Sequence, residues 1–395
     1  MLTLTEKLNL LRESLPGRKV RVLILGLGSV GNYLLNYLLS AGDEEMEIFA
    51  AGRNGEKLRQ DVNIARISAL IRGQCRSRVS VLDGVDLNCT EQIAGALERC
   101  RPDIIVNSSR AYSGLKYGSV SWGTVRAYGL WAPLAVRYLR NIMEACGQVC
   151  PQAMVINTSY SDAVIPWMKS AGRDCPDFGS GNLNHLIPRI RLAAAEQLGV
   201  PDPWDLDVTL AASHFHDVVI SKEGQTEGVE PLLEIRRQGR PAEVDRGRLY
   251  ARCALPMPSD ARRNQMNASS NFEIIQGILS AVRDRGRVKL HCPGAFGELG
   301  GYPVLLDGTG ERAEARIDES CFTLEQMRER NRQSIYLDGI RDVRDGTLYY
   351  TDELLEKVER AFGTALFPSV AFGQIDGAAR FMIEEILRKN TGRSA

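Results

Sequence analysis

Short apolar runs alternate with amphipathic stretches along the first 160 residues or so. Val20–Leu25 is brief, apolar and rich in β-branched residues, the pattern of a strand buried on both faces. Gly26–Gly31 follows it, and Asn32–Ala41 continues with helical spacing. Glu47–Ala51, Val79–Leu82, Asp103–Asn107 and Ala153–Thr158 repeat the strand pattern. Helical stretches at Glu56–Ile71, Glu91–Cys100 and Leu134–Gly147 separate them, and another, Thr5–Leu15, precedes Pro16-Gly17. Strands alternating with helices predict parallel pairing, with helices on both faces of a doubly wound α/β sheet. The rhythm then changes. Helices are expected near 187–198, 268–285, 352–362 and 377–388 and over Leu324–Ile335, with strands at Asp207–Ala212, Val229–Arg236, Val304–Leu306 and Thr347–Tyr350. The expected organisation is a doubly wound domain over 1–160 and a mixed α+β domain over 161–395, with no repeat and no flexible linker between them.

Composition narrows the class. With 395 residues, 44% apolar and 25% charged, the chain reads as an ordinary globular protein of more than one domain. Lys plus Arg and Asp plus Glu both total 49, so no net charge draws it to nucleic acid or to an anionic membrane. Glu6, Lys7, Arg12 and Glu13 interrupt any secretory apolar core, and no apolar run is long enough to span a bilayer. Nine cysteines without a C-x-x-C pair imply free thiols in a reducing compartment, so a cytoplasmic location is expected.

Gly26-Leu27-Gly28-Ser29-Val30-Gly31 is G-x-G-x-x-G placed between a strand and a helix, the context in which that pattern signifies a Rossmann dinucleotide site. Gly26 permits the tight turn, Gly28 lets backbone approach a pyrophosphate, and Gly31 lets the helix pack closely. Ser29 and Val30 open the helix whose free N–H groups attract phosphate. Asn107 and Ser108, ending the fourth strand, are expected to border the same cofactor. The second strand ends in Ala51-Gly52-Arg53-Asn54, without the acidic residue that usually binds a ribose hydroxyl in NAD sites. Arg53 and Asn54 suit a 2′-phosphate, so NADP is expected, with NAD as the alternative.

Further motifs carry a resemblance. Pro151-Gln152-Ala153 through Asn157-Thr158-Ser159-Tyr160-Ser161-Asp162, then Gly181-Asn182-Leu183-Asn184 with Arg189-Ile190-Arg191, then Ser213-His214-Phe215-His216-Asp217, and finally Gly301-Tyr302-Pro303-Val304 appear in one order. Together they resemble the lactate and malate dehydrogenase superfamily, of which this chain looks like a divergent member. The resemblance implies His214 as general acid/base, Arg189 as the carboxylate-binding fork and Asn157 beside the substrate oxygen. It also implies Arg110 on the loop that closes over substrate. It further implies a small-molecule substrate and assembly as a homodimer or homotetramer. Where the family's helix carries an Asp that pairs with the histidine, this chain offers Asn184 or Leu186, neither of them a carboxylate.

Other readings stay open. His185, His214 and His216 are clustered in sequence, and a strand would put His214 and His216 on one face, where they could join His185 around a metal. The related NAD-dependent glycosidases hold a metal in this region through Cys and His, but Asn184-His185 stands where their Cys-His would be, and no metal ligand is assigned. Val81–Leu87 and Pro102–Asn107 also resemble saccharopine-dehydrogenase-like proteins, which implies imine reduction. A non-catalytic dinucleotide sensor is the remaining alternative.

Overall fold

A computed structural model describes residues 2–112 and 114–390. Its first half contains α1 (Leu4–Ser14), β1 (Val20–Leu25), α2 (Ser29–Ala41), β2 (Met46–Ala51), α3 (Gly55–Ile71), β3 (Arg78–Leu82), α4 (Thr90–Cys100) and β4 (Ile104–Asn107). It continues with α5 (Gly114–Val120), α6 (Ala132–Val149), β5 (Met154–Asn157), α7 (Ser161–Ser170) and the short β6 (Phe178–Gly179). The strands form one sheet in the order β3-β2-β1-β4-β5-β6, and every pairing is parallel. This is the Rossmann order, with its reversal between β1 and β4. Successive strand residues point to opposite faces. Leu23, Leu25, Ile105 and Val155 therefore join α4 and α6 in one apolar cluster, while Val22, Ile24, Val106 and Ile156 join α2 in another.

The second half contains α8 (Asn182–Leu198), β7 (Leu206–Ala211), α9 (His214–Glu223), β8 (Leu232–Arg237), β9 (Arg240–Pro241), α10 (Arg246–Cys253) and α11 (Asn264–Val282). Then come β10 (Arg287–Pro293), β11 (Gly301–Asp307), β12 (Glu314–Ile317), α12 (Leu324–Leu337), β13 (Ile340–Arg344), β14 (Thr347–Tyr350), α13 (Asp352–Phe362), β15 (Ser369–Ala371) and α14 (Ile375–Phe381). Three small sheets result: β7-β8-β9, β10-β11-β12 and β13-β14-β15, each antiparallel. The mixed architecture matches the expectation from sequence. Ser213–Asp217 does not. Ser213 is the extended N-cap of α9, and His214 is its first residue, so the histidines are on a helix rather than a strand. Residues two apart on a helix diverge by about 200°, which separates the faces of His214 and His216. The helix expected at 377–388 begins at Ile375 and passes into a π-helical turn over Met382–Leu387.

The two halves share their cores. Ile274 and Ile278 of α11 belong to the cluster that holds Leu34 and Leu38 of α2. Met382 and Ile386 belong to the cluster that holds Leu139 and Ile142 of α6. The N-terminal helix is fastened by charge as well as by Leu4, Leu8 and Leu11. Thr3 and Glu6 form a capping box at its start. Lys7, only 1% exposed, reaches Asp177 Oδ2 at 2.9 Å. Asp177 also accepts the Val155 N–H at 2.8 Å. Burial pushes the Asp177 carboxyl upward, against the pull of Lys7.

Removing one member of such a pair leaves a buried charge uncompensated. Lys7→Met should cost about 3–5 kcal/mol of stability, read as a lower urea midpoint. The double variant Lys7→Met with Asp177→Asn should regain part of that loss. An unchanged midpoint in Lys7→Met would show that the pair contributes nothing.

Candidate active site

A cleft of about 730 Å³ runs along the carboxyl ends of β1, β2, β4 and β5. Open α/β sheets leave room for ligands at this place, where the strand order reverses. Gly26, Gly28, Ser29 and Val30 line it at one side. Gly26 has φ +89°, and a Cβ on it would stand 1.9 Å from Ser109 Oγ. Gly28 is the N-cap of α2 without any side-chain cap bond, and open space lies where its Cβ would be. The start of α2 thus meets the cleft with uncapped backbone donors. Gly31 lies behind the lining, where a Cβ would stand 2.2 Å from the Gly26 carbonyl oxygen. Only glycine allows that approach of helix to turn.

Arg53 and Asn54 line the far end of the cleft, both exposed, and Asn54 Oδ1 caps α3 by accepting the Lys57 N–H at 3.0 Å. Lys57 lines the same end and pairs with Asp61 at 2.5 Å. Asp61 and Asp86 also reach this part of the cleft, two carboxylates that the end of the second strand alone does not reveal. Ser108 lines the middle, its hydroxyl donating to the Gly26 carbonyl at 2.6 Å. Asn107 and Asn157 are fully buried beneath it. Asn107 Nδ2 donates to Asn157 Oδ1 at 2.9 Å, and Asn157 Nδ2 donates to the Ser159 carbonyl and to Ser161 Oγ. These two amides brace the strand ends rather than face the cleft. Arg110 does line it, with Nη1 donating to Tyr117 Oη at 3.1 Å and Nη2 to the Thr158 carbonyl at 3.4 Å.

His214 lies at the opposite end. Its ring Nδ1 donates to Asp338 Oδ2 at 3.0 Å, and its backbone N–H donates to Asp162 Oδ1 at 2.9 Å. The chain does supply a carboxylate for this histidine, but from the end of α12 and not from the helix bearing Asn184 and Leu186. Asp338 is fully buried and also accepts the Tyr128 N–H at 2.7 Å and the Tyr160 hydroxyl at 2.8 Å. The rings of Tyr128 and Tyr160 meet the imidazole edge to face, with centroids 4.6 and 5.2 Å away. Burial alone pulls the His214 pKa down, yet the charge and hydrogen bond of Asp338 outweigh it and raise the pKa. Burial pushes both Asp162 and Asp217 up to about 6, although His214 pulls each down.

The remaining histidines take other duties. His185 lines the cleft, with Nδ1 3.8 Å from Asp217 Oδ2, and burial lowers its pKa to about 3. His216 is held neutral by burial, its pKa lowered to about 4. Its Nε2 meets the Val229 carbonyl, which can only accept, so Nδ1 takes the Ser334 hydroxyl at 2.8 Å. His185, His214 and His216 therefore do not converge. Among the described residues no group of three His, Cys, Asp or Glu side chains is placed to hold a metal ion. Arg189 is buried behind the cleft, donating to the Cys253 carbonyl at 2.8 Å and lying 3.0 Å from Met257 Sδ. Arg263, which belongs to no motif, lines the cleft instead. Asp338 was equally hidden, since 124 residues separate it from His214. Asp162 belongs to the Asn157–Asp162 segment, but 52 residues separate it from His214 and nothing local ties the two together.

No protein-family model and no curated protein sequence matches the chain. Solved structures do. Cryptosporidium parvum malate dehydrogenase aligns with 80% of this chain and 96% of its own, at 14% identity and TM-score 0.53. Eimeria maxima lactate dehydrogenase with NADH and oxamate aligns over 81% and 93%, at 14% identity and TM-score 0.52. Cryptosporidium parvum lactate dehydrogenase with lactic acid and nicotinamide adenine dinucleotide aligns over 81% and 97%, at 14% identity and TM-score 0.53. The chain has the fold of these dehydrogenases. Among the described residues no helix is long and apolar enough to cross a membrane.

The raised carboxyl of Asp217 gives a pH test of this geometry. Its folded pKa near 6 exceeds the unfolded value, so folding is favoured fully only below about pH 4. That contribution fades as pH rises through 6. The contribution amounts to roughly 3 kcal/mol. Asp217→Asn should therefore gain stability relative to the parent between pH 4 and 6. Thermal unfolding of both proteins across that range measures the difference, and a pH-independent difference would contradict the burial assigned to Asp217.

Proposed function

We propose that this protein, built on the fold of malate and lactate dehydrogenases, is an NAD(P)-dependent oxidoreductase. It moves hydride between a nicotinamide cofactor and a small hydroxy, keto or imine substrate bearing a carboxylate. The observation that carries the reading is the His214–Asp338 pair, 3.0 Å apart, on the same cleft as the glycine turn. The residues fit a dinucleotide. Gly28 leaves its Cβ position open to the cleft, the first turn of α2 is uncapped, and Gly26 and Gly31 admit no side chain. Gly28, Ser29 and Val30 would hold the pyrophosphate, and Ser108 borders the middle of the cofactor's path. The bound nicotinamide supplies the hydride donor or acceptor.

His214 handles the proton. Asp338 occupies Nδ1, which fixes the tautomer and leaves Nε2 for the substrate oxygen. In the oxidative direction Nε2 takes the hydroxyl proton as the carbon gives up hydride, and in reduction it returns that proton. Asp338, with Tyr128 and Tyr160 bound to it, stabilises the imidazolium formed during oxidation. At the other end Arg53 and Lys57 present two cations at the position of a ribose 2′-substituent, which favours NADP over NAD. Asp61 offsets part of the Lys57 charge and Asp86 part of that of Arg53, which forms no ion pair among the described residues and so carries what preference remains.

Titration of nucleotide-free protein with NADPH and NADH, followed by nicotinamide fluorescence, tests the reading. Binding of NADPH more tightly than NADH is expected, and Arg53→Glu should reverse the order. His214→Gln should keep nucleotide affinity while turnover falls by about 10²–10⁴-fold. Failure of both nucleotides to bind would overturn the oxidoreductase assignment.

A further inference from the structure

Asp162 and Asp217 line the His214 end of the cleft and are only 3% and 4% exposed. The proton chemistry of His214 and Asp338 uses neither of them. Asp162 Oδ1 accepts the His214 backbone N–H at 2.9 Å, and Asp217 Oδ1 accepts the Ser221 hydroxyl at 3.3 Å. Among the described residues neither carboxylate forms an ion pair with a lysine or an arginine, although buried carboxylates normally do. Both are ionised at neutral pH, with pKa values of about 6. Asp217 follows His214 by three residues on α9, which sets the two side chains beside one another on one face of the helix.

His185 supplies an independent observation. Its ring lines the same end of the cleft, and burial holds it neutral. Nδ1 is turned to Asp217 Oδ2, 3.8 Å away, an atom that can only accept. The one proton of a neutral ring therefore belongs on Nδ1, and Nε2 presents a lone pair. That Nε2 has no hydrogen-bond partner, although the residue is only 8% exposed. Buried polar atoms are almost always satisfied, so an orphaned one on a cleft wall points to a ligand atom. The Met266 carbonyl, a further acceptor, borders the same ring. Tyr128 and Tyr160 wall this end with apolar ring surface, which keeps charges there poorly screened. The cations nearby are otherwise placed. The charge of His214 is matched by Asp338, and Arg189 donates to the Cys253 carbonyl. Lys222 is exposed and Arg263 partly so, and each acts on Asp217 without an ion pair to it.

We infer that Asp162, Asp217 and His185 Nε2 form a subsite for a cationic amino group of the substrate, carried on the carbon next to the one that exchanges hydride. The inference rests on the oxidoreductase reading and narrows its substrates to hydroxy or keto compounds with an ammonium beside the reacting carbon. An ammonium brings three N–H donors, one for each carboxylate and one for the imidazole lone pair. A hydroxyl in that place brings a single donor and no charge, which leaves two acceptors unanswered and both carboxylates uncompensated.

Isoserine and glycerate are the probes. Both are short 2-hydroxy acids, and they differ only in an ammonium or a hydroxyl on the carbon next to the carbinol. Isothermal calorimetry at neutral pH is run with each, on the protein alone and on its NADPH complex, for the parent and Asp217→Asn. Circular dichroism melting checks that the variant is folded. The parent is expected to bind isoserine about tenfold or more tightly than glycerate. Asp217→Asn should erase that difference by weakening isoserine, with NADPH affinity unchanged. Equal affinity for the two probes in the parent, or tighter binding of glycerate, would overturn the inference. So would a preference for isoserine that survives Asp217→Asn intact. A parent protein that binds neither probe overturns it as well. If the parent prefers isoserine but binds no nucleotide, the oxidoreductase reading fails while the amine subsite stands.

Discussion

A carboxylate removed from water costs several kcal/mol unless its lone pairs are all answered. Asp338 is buried completely and is answered from three directions. The Tyr128 N–H comes from the turn before α6, the Tyr160 hydroxyl from the turn between β5 and α7, and the imidazole of His214 from the start of α9. The backbone of Asp338 takes part as well, its carbonyl accepting the Gly129 N–H at 2.9 Å. A Cβ on Gly129 would stand 2.5 Å from that oxygen, so the approach depends on glycine. Three stretches of chain far apart in sequence are thus registered on one residue at the end of α12.

The same packing sets the electrostatics. Tyr160 adopts φ +46°, a left-handed conformation that a bulky residue takes only where its surroundings require it. That backbone turn directs its hydroxyl to Asp338. Ser213 at the head of α9 is in turn bonded to Ser334 of α12, which also serves His216. The helix that supplies the acid/base and the helix that supplies its carboxylate are therefore joined twice, once through charge and once through neutral hydroxyls. Neutral bonds of this kind hold their geometry while the proton on His214 comes and goes.

Local features were legible in the sequence, and distant ones were not. Val20–Leu25 and Gly26–Gly31 declare a strand, a turn and a helix start within a dozen residues, and the structure has them where expected. The alternation that followed was enough for the parallel sheet. Asp338 belongs to no motif near His214, and only tertiary packing brings the two together. Arg189 and Arg263 illustrate the converse. Both are arginines at or within helices, and nothing in their neighbours says which side chain points inward to a carbonyl and which meets the cleft. The strand assigned to His214–His216 failed for a similar reason, since a short apolar stretch fits either period until Ser213 is recognised as a cap.

The four histidines fall into unequal groups. His185, His216 and His291 are driven by burial to pKa values of about 3, 4 and 3, and His291 uses its bare Nε2 to accept the Leu210 N–H at 3.2 Å. His214 alone is moved upward. Burial thus holds three of the rings neutral, and the upward pull of Asp338 confines any imidazolium that persists above the ordinary range to a single ring, the one at the site.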